Sequence, residues 1–313
     1  MLLPASDADA GAQTPLASGV AAHVAGVVHD SLAGAPLDGA TVQLVSADGQ
    51  RLVFRSAVTD GGGAFALDEV PAGRYLLGFL HPLLDSLGLH APGREVVVVR
   101  GERMRVDLAV PPAARIRVAL CGGSAASPPA VQLGVVRSAI DRSPVSGAVV
   151  EGGWSEYAIG RGTVGHRIAR VADTTGSDGR FVLCDVPQAG AAMLRVTRGS
   201  ERSALVALDL AANGISRRDV YVGQARSARA LAPSDTLASE IEMGDGVLRG
   251  RVLDRDGARP IAGARVGIAG GPEARTAGSG EWTLTDLPMG TRILEVRAVG
   301  YAPTRLPVDV YAG

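Results

Sequence analysis

Two histidines nine positions apart, His81 and His90, lie in the stretch "HPLLDSLGLH". Imidazole is the side chain best suited to hold a transition metal or to move a proton near neutrality. A catalytic zinc needs three fixed protein ligands and an open position, and in carboxypeptidase-type sites it begins with a His-x-x-Glu pair. The residues three beyond His23, His29, His81, His90 and His166 are Gly26, Leu32, Leu84, Gly93 and Ala169, so that pair is missing, and Asp85 is the one acidic neighbour of the two histidines. No metal and no cofactor is expected. "GRGTVG", Gly160 to Gly165, matches G-x-G-x-x-G, but that fingerprint cradles a pyrophosphate only between a strand and the helix it opens. Here it is followed by the alternating run "HRIARVAD", which reads as the far side of a hairpin. No serine sits in G-x-S-x-G and neither cysteine has a histidine near it in sequence. Nucleophilic catalysis has no candidate, and the chain is expected not to be an enzyme.

Other residues suit binding or crosslinking better than catalysis. Cys121 ends "RIRVALC", read as strand-like, and Cys184 ends "RFVLC". A bridge between them would close 63 positions and, in the chain-entropy account, contribute about 4 kcal/mol in an oxidising compartment. The alternative is a pair of buried free thiols. Trp154 and Tyr157, in "WSEYAIGRG", could stack on a sugar ring or anchor a partner protein, or simply cap a sheet edge. Pro82 followed by Leu83, Leu84 and Leu87 suggests one or two helical turns. Packed down, these leucines make a lid; facing water, they make an apolar patch that calls for a partner.

Such residues must be positioned by a scaffold, and composition bounds what it is. The formal net charge is -1, which gives no basic field for nucleic acid or anionic membranes. All 31 positive side chains are arginine, which removes lysine-dependent chemistry, including lysine-asparagine isopeptide crosslinks. No run of 18 or more apolar residues is present to form a transmembrane helix. The start, "MLLPASDADAGAQ", has neither the basic flank nor the long apolar core of a secretory leader. With 42 glycines and 18 prolines, turns are frequent and an all-β class is favoured.

Internal repetition makes the architecture explicit. "GVVHDSLAGAPLDGATV", "GVVRSAIDRSPVSGAVV" and "GRVLDRDGARPIAGARV" start at Gly26, Gly134 and Gly250, each with a proline ten positions on and a Gly-Ala pair three later. Further along come "TDGGGAFALDEVPAG", "TGSDGRFVLCDVPQAG" and "TAGSGEWTLTDLPMG", in which Phe65, Phe181 and Trp282 each stand six positions before a proline. Glycine supplies the turn, period-two alternation sends one side chain in two to a core, and proline stops the strand. Each copy offers six or seven short strands, so three tandem Greek-key β-sandwiches are expected.

This combined pattern resembles the carboxypeptidase regulatory-like domain, a transthyretin-like sandwich related to bacterial Cna B-type modules. The resemblance covers nearly all of residues 23–313, and the third copy is especially similar to versions found ahead of TonB-dependent receptors. It implies an Ig-like or transthyretin-like fold and, for most such domains, no catalysis. The expected organisation is a flexible tail over 1–22, sandwiches over 23–113, 114–229 and 247–313, and a linker over 230–246. The third copy offers one strand fewer than the others after its motif strand. Its exposed edge would recruit a strand, and the tail could donate one to a neighbouring subunit, forming fibres. The leading expectation is a non-enzymatic secreted, periplasmic or cell-surface array, a structural spacer and adhesion or assembly module whose partners are proteins or further copies of itself. The alternatives are the periplasmic N-terminal region of a TonB-dependent outer-membrane receptor and a carbohydrate-binding module.

Overall fold

The computed structural model describes residues 21–47, 53–89, 93–124, 126, 128–160, 163–188, 190–230, 239–257 and 259–312. Almost all of the expected donor tail, together with His90, lies outside the described residues. The chain divides into two compact units, one ending at Pro111 and one beginning at Pro112.

The first unit is one sandwich: β1 (Ala22–Asp30), β2 (Ala35–Pro36), β3 (Thr41–Ser46), β4 (Phe54–Val58), β5 (Ala64–Val70), β6 (Gly73–Leu80), α1 (Pro82–Leu87), β7 (Arg94–Val98), β8 (Arg103–Arg105) and β9 (Leu108–Ala109). One sheet runs β2-β1-β5, with β8 and β9 parallel to β1; the other runs β4-β3-β6-β7. Alternate residues of β1, Ala22, Val24 and Val28 among them, face the core.

The second unit holds two sandwiches. The first of these comprises α2 (Ala113–Cys121), β10 (Ala130–Ser138), β11 (Val149–Gly160), β12 (Thr163–Thr174), β13 (Arg180–Val186), β14 (Ala192–Arg198), β15 (Glu201–Arg202), β16 (Val206–Ala207), β17 (Ile215–Arg217) and β18 (Val220–Val222). Its sheets are β13-β10 with β17 and β18 parallel to β10, and β12-β11-β14 with β15 and β16 on β14. A hairpin, β19 (Arg226–Ala230) and β20 (Ser239–Met243), leads to the last sandwich. That sandwich has β21 (Gly246–Arg251), β22 (Arg265–Ile268), β23 (Glu273–Arg275), β24 (Glu281–Leu287), β25 (Gly290–Arg297) and β26 (Thr304–Val310), in sheets β21-β24 and β23-β22-β25-β26.

Two expectations are corrected here. "RIRVALC" is not a strand but most of α2: Ile116 is buried and Leu120, one turn on, is half-buried, so spacing of four fits the run as well as alternation does. Residues 239–243, expected within a linker, are a paired strand.

The repeated motif now has a physical cause. In each copy a buried threonine, Thr59, Thr175 or Thr276, clasps the proline-containing turn. Its hydroxyl donates to the carbonyl of Leu37, Val145 or Ile261 at 2.6–2.7 Å, and accepts from the amide of Ala40, Ala148 or Ala264 at 2.8–2.9 Å. The Gly-Ala pair adds two backbone bonds to the same threonine, Gly147 N donating to Thr175 O and Thr175 N to Ala148 O in the second copy. The glycine ending each "TDGGG"-type turn, Gly63, Gly179 or Gly280, has a positive φ and lies so close to a neighbouring strand that a Cβ would come within 2.6 Å of the carbonyl oxygen of Val28, Val136 or Val252. A bulge recurs too: Glu69, Asp185 and Asp286, each two residues before the strand-ending proline, have φ of 53–59°.

Inside the second unit the two sandwiches are joined by buried polar bonds. Thr291 is fully buried; its hydroxyl accepts from Tyr221 N (2.8 Å) and donates to Asp309 (2.6 Å), while its carbonyl accepts from Ala204 N (2.8 Å). Arg292, 3% exposed, reaches Glu242 and the carbonyls of Pro288 and Met289, and Arg202 closes on the same glutamate. Burial pulls the Arg292 guanidinium down and Glu242 opposes this. Tyr311 packs edge-on against Tyr221 with centroids 4.9 Å apart, and Arg142 lies 4.5 Å over its ring. Burial, the Tyr221 hydrogen bond and the nearby Asp309 carboxylate push the Tyr311 phenol up to about 12.

Cys121 and Cys184 are bridged, with Cα atoms 5.8 Å apart, tying the end of α2 to β13.

Three outcomes are expected. Thr175→Val leaves the Ala148 amide and the Val145 carbonyl without their hydroxyl partner and lowers stability by about 1–3 kcal/mol in denaturant unfolding; a neutral result would show that the clasp is not what holds the turn. Cys184→Ser lowers stability by about 2–5 kcal/mol, and dithiothreitol has the same effect on the parent and none on the variant. In an alkaline absorbance titration Tyr311→Phe removes a component that ionises near 12 in the parent. Because the folded-state value lies above the ordinary 10.0, this contribution to stability is complete below about pH 10 and fades as pH rises towards 12; an identical high-pH titration of parent and Tyr311→Phe would contradict the placement of Tyr311.

Candidate interaction surfaces

No three His, Cys, Asp or Glu side chains converge into a metal-binding group among the described residues. The histidines are dispersed. His23 pairs with Asp68 at 2.6 Å on the surface, and His166 lies against Tyr157. His81 caps α1: its Nδ1 accepts from Leu83 N, and its Nε2 lies 3.1 Å from the carbonyl oxygen of Asp38. The imidazole therefore starts a helix and ties it to the first clasped turn. Gly88, with φ of 70°, ends the helix. Leu84 and Leu87 are 2% and 5% exposed and Leu83 is half-buried, so these leucines form a lid and not the alternative apolar patch for a partner.

Trp154 and Tyr157 separate because they are three apart on a strand and face opposite ways. Trp154 packs half-buried against the second core, and its indole N–H donates to Glu156 at 3.0 Å. The two rings therefore lie on opposite faces of the strand and do not form one joint stacking surface. Glu156 also takes Arg167 at 2.5 Å; this bond and the indole N–H hold its carboxyl below the usual range.

Tyr157 belongs to a projecting arm. Strand β14 accompanies β11 only as far as Trp154 opposite Ala192, whereas β11 and β12 go on pairing to Gly160 opposite Thr163. Six residue pairs thus extend beyond the sheet, roughly 20 Å of two-stranded ribbon. The "GRGTVG" motif lies at its end, between two strands and not before a helix. One face of the ribbon carries Ser155, Tyr157, His166, Val164 and Ile168; Tyr157, Val164 and Ile168 are 66%, 70% and 59% exposed. At the root of that face, Gly153 lies in a groove of about 500 Å³ walled by Ile168, Arg170, Met193, Arg195 and Leu205. Apolar and arginine side chains mixed on an exposed strand face suit protein contact, where aromatic and arginine anchors contribute most.

The joint residues Thr291, Arg292 and Glu242 escaped sequence reading because their partners lie up to 70 positions away. A weak signal existed: Arg292 interrupts the strand "TRILEV", and it is buried between buried Thr291 and half-buried Ile293.

The search of curated proteins found no match. Among solved structures, the Bacillus anthracis TIE protein is similar over 94% of this chain and 48% of its own, at 12% identity and a TM-score of 0.23. The present chain thus spans about half of that protein. A Streptococcal ancillary pilin is similar over 91% and 95% at 11% identity and 0.23, and BcpA, the major pilin subunit of Bacillus cereus, over 93% and 95% at 11% and 0.25. Superpositions this loose carry no argument about the present chain. The carboxypeptidase regulatory-like domain model matches residues 23–111 and 247–313, which are the first and third sandwiches. Over those two segments the chain is similar to the carboxypeptidase regulatory-like domain family.

Proposed function

We propose that the chain is a non-catalytic β-sandwich array of the cell envelope or exterior, acting as a structural spacer and as an adhesion or assembly module. The observation that carries this reading is the joint between the second and third sandwiches. Neighbouring domains in one chain rotate freely unless their interface is well packed. Here a fully buried threonine and a nearly buried arginine are bonded across the boundary or to groups that line it, so rotation would strand polar groups away from water. A spacer requires that resistance; a pair of independent binding modules does not. The Cys121–Cys184 bridge supports an oxidising compartment, where such bonds persist. The arm supplies an exposed surface through which such a module would meet another protein.

The test is display of the full chain on the surface of a cell that lacks it, scored by cell–cell aggregation and surface attachment. Displaying cells are expected to attach. Replacement of residues 155–168 by a two-residue turn, or Tyr157→Ser with Ile168→Ser, should return them to the level of bare cells. Displaying cells indistinguishable from bare ones would refute the adhesion reading.

A further inference from the structure

We propose that the outer face of the sheet β4-β3-β6-β7 in the first sandwich packs against the same face of a second copy of this chain, giving a reversible two-fold dimer. This goes beyond the reading above, because it uses neither the arm nor the joint.

Strand pairing sets three rows of side chains on that face, since residues directly opposite each other share a side of the sheet. One row is Phe54, Val45 and Leu76; another, four residues away on each strand, is Val58, Thr41 and Leu80. Between them run Ser56, Gln43 and Gly78. Phe54, Val58, Leu76 and Leu80 are each 46–63% exposed, and so is Val97, opposite Arg74 on the same face. Large apolar side chains gathered in this way make a continuous patch of the kind that marks a contact surface.

The other two sandwiches show that the fold does not require the patch. Where the first has Val58 and Leu80 flanking Thr41, the second has Thr174 and Thr197 flanking Val149, and the third has Arg275 and Arg297 flanking Arg265. Where the first has Ser56 and Gly78 flanking Gln43, the second has Ala172 and Arg195 flanking Glu151, and the third has Glu273 and Glu295 flanking Gly267. One position in a common frame is thus polar or charged twice and apolar once, and packing within the sandwich does not account for the difference.

Charge, symmetry and area together select a second copy as the occupant. Among the described residues Arg74 and Glu95 are the only charged side chains on the face, and they pair with each other at 3.3 Å. A partner chosen by charge has nothing to read there, while a second copy brings no net charge against the first. The middle row lies halfway between the two apolar rows. A copy turned about an axis along that row sets Phe54 over Val58, Val45 over Thr41 and Leu76 over Leu80 of its mate, and each of these contacts occurs twice, as an isologous interface requires. Gln43 then faces Gln43, and each amide offers the donor and the acceptor that the other needs once water leaves. Four strands about 4.8 Å apart and a span of about five residues give roughly 300 Å² in plan on each copy. With the side chains that stand on them, two such faces reach the lower end of specific interfaces, about 1,000 Å², which suits a dimer that separates and re-forms. The arm of another copy, two strands wide, would cover only about half of the face.

Sedimentation equilibrium of the full-length chain tests the assignment. The parent is expected to reach a dimer and stop there, with a Kd in the micromolar range. Leu76→Gln with Val58→Gln should raise that Kd roughly tenfold or more, and replacement of residues 155–168 by a two-residue turn should leave it unchanged. Both native cysteines are bridged, so Gln43→Cys places a single free thiol in the middle row. A short bis-maleimide should link two chains through it, because stacked sheets stand about 10 Å apart; Glu151→Cys, the equivalent position in the second sandwich, should not be linked. A parent that stays monomeric at roughly 100 µM, far above the expected Kd, would overturn the proposal. So would association that continues past the dimer, dimerisation lost with the arm, or equal linking at positions 43 and 151. A dimer that forms while displaying cells fail to attach would refute the adhesion reading and leave this one standing; attachment by a chain that stays monomeric would do the reverse.

Discussion

A single buried hydroxyl in each sandwich holds together the segments that the repeat motif names. The threonine clasp accepts from one backbone amide and donates to one backbone carbonyl, both on the proline-containing turn. That turn carries the chain from the first strand of one sheet to the first strand of the other, β10 to β11 in the second copy. Its geometry therefore sets how the two sheets face each other, and with it which alternate residues become core. The clasp also explains why the proline and the Gly-Ala pair keep their spacing within the turn, although the threonine that holds them follows the proline by 23, 31 and 16 positions in the three copies. A hydroxyl that must reach two backbone groups tolerates little displacement, whereas the exposed residues around it are free to change.

Much of the fold was legible for this reason. Motif positions fixed by backbone geometry, such as Gly26, Gly134 and Gly250, or by core position, such as Phe65, Phe181 and Trp282, announce themselves as repeats. What the sequence concealed depends on distant partners or on degenerate periodicity. The run "RIRVALC" supports both spacing of two and spacing of four, and α2 forms with Ile116 inward and Cys121 fixed to β13. Trp154 and Tyr157 looked like one site because they are close along the chain; on a strand, an odd separation sends them to opposite faces. The joint at Thr291 was invisible since nothing local distinguishes a threonine that will be bonded across a domain boundary from one that will face water.

The three sandwiches differ mainly in what each adds to a common frame. The first adds a helical lid begun by His81, the second a ribbon and a disulfide, and the third the buried Thr291 and Arg292 of the joint. None of these additions disturbs the clasp. This is the expected division of labour in a β-sandwich, where loops and edges are free to vary because the alternating interior already specifies register.

The arm built from β11 and β12 has a consequence for how this protein can change. Among the described residues the backbone of its outer six pairs is laddered only within the ribbon, so its length is decoupled from the core beneath it. Deleting or adding one pair between the sandwich and Tyr157 would rotate everything beyond it to the opposite side, exchanging Tyr157 and His166 for the Glu156–Arg167 face. Two pairs would restore the original side and move it about 7 Å outward. Reach can therefore drift in steps of two pairs with its recognition face unaltered, while single-pair changes switch the chemistry presented at the same distance.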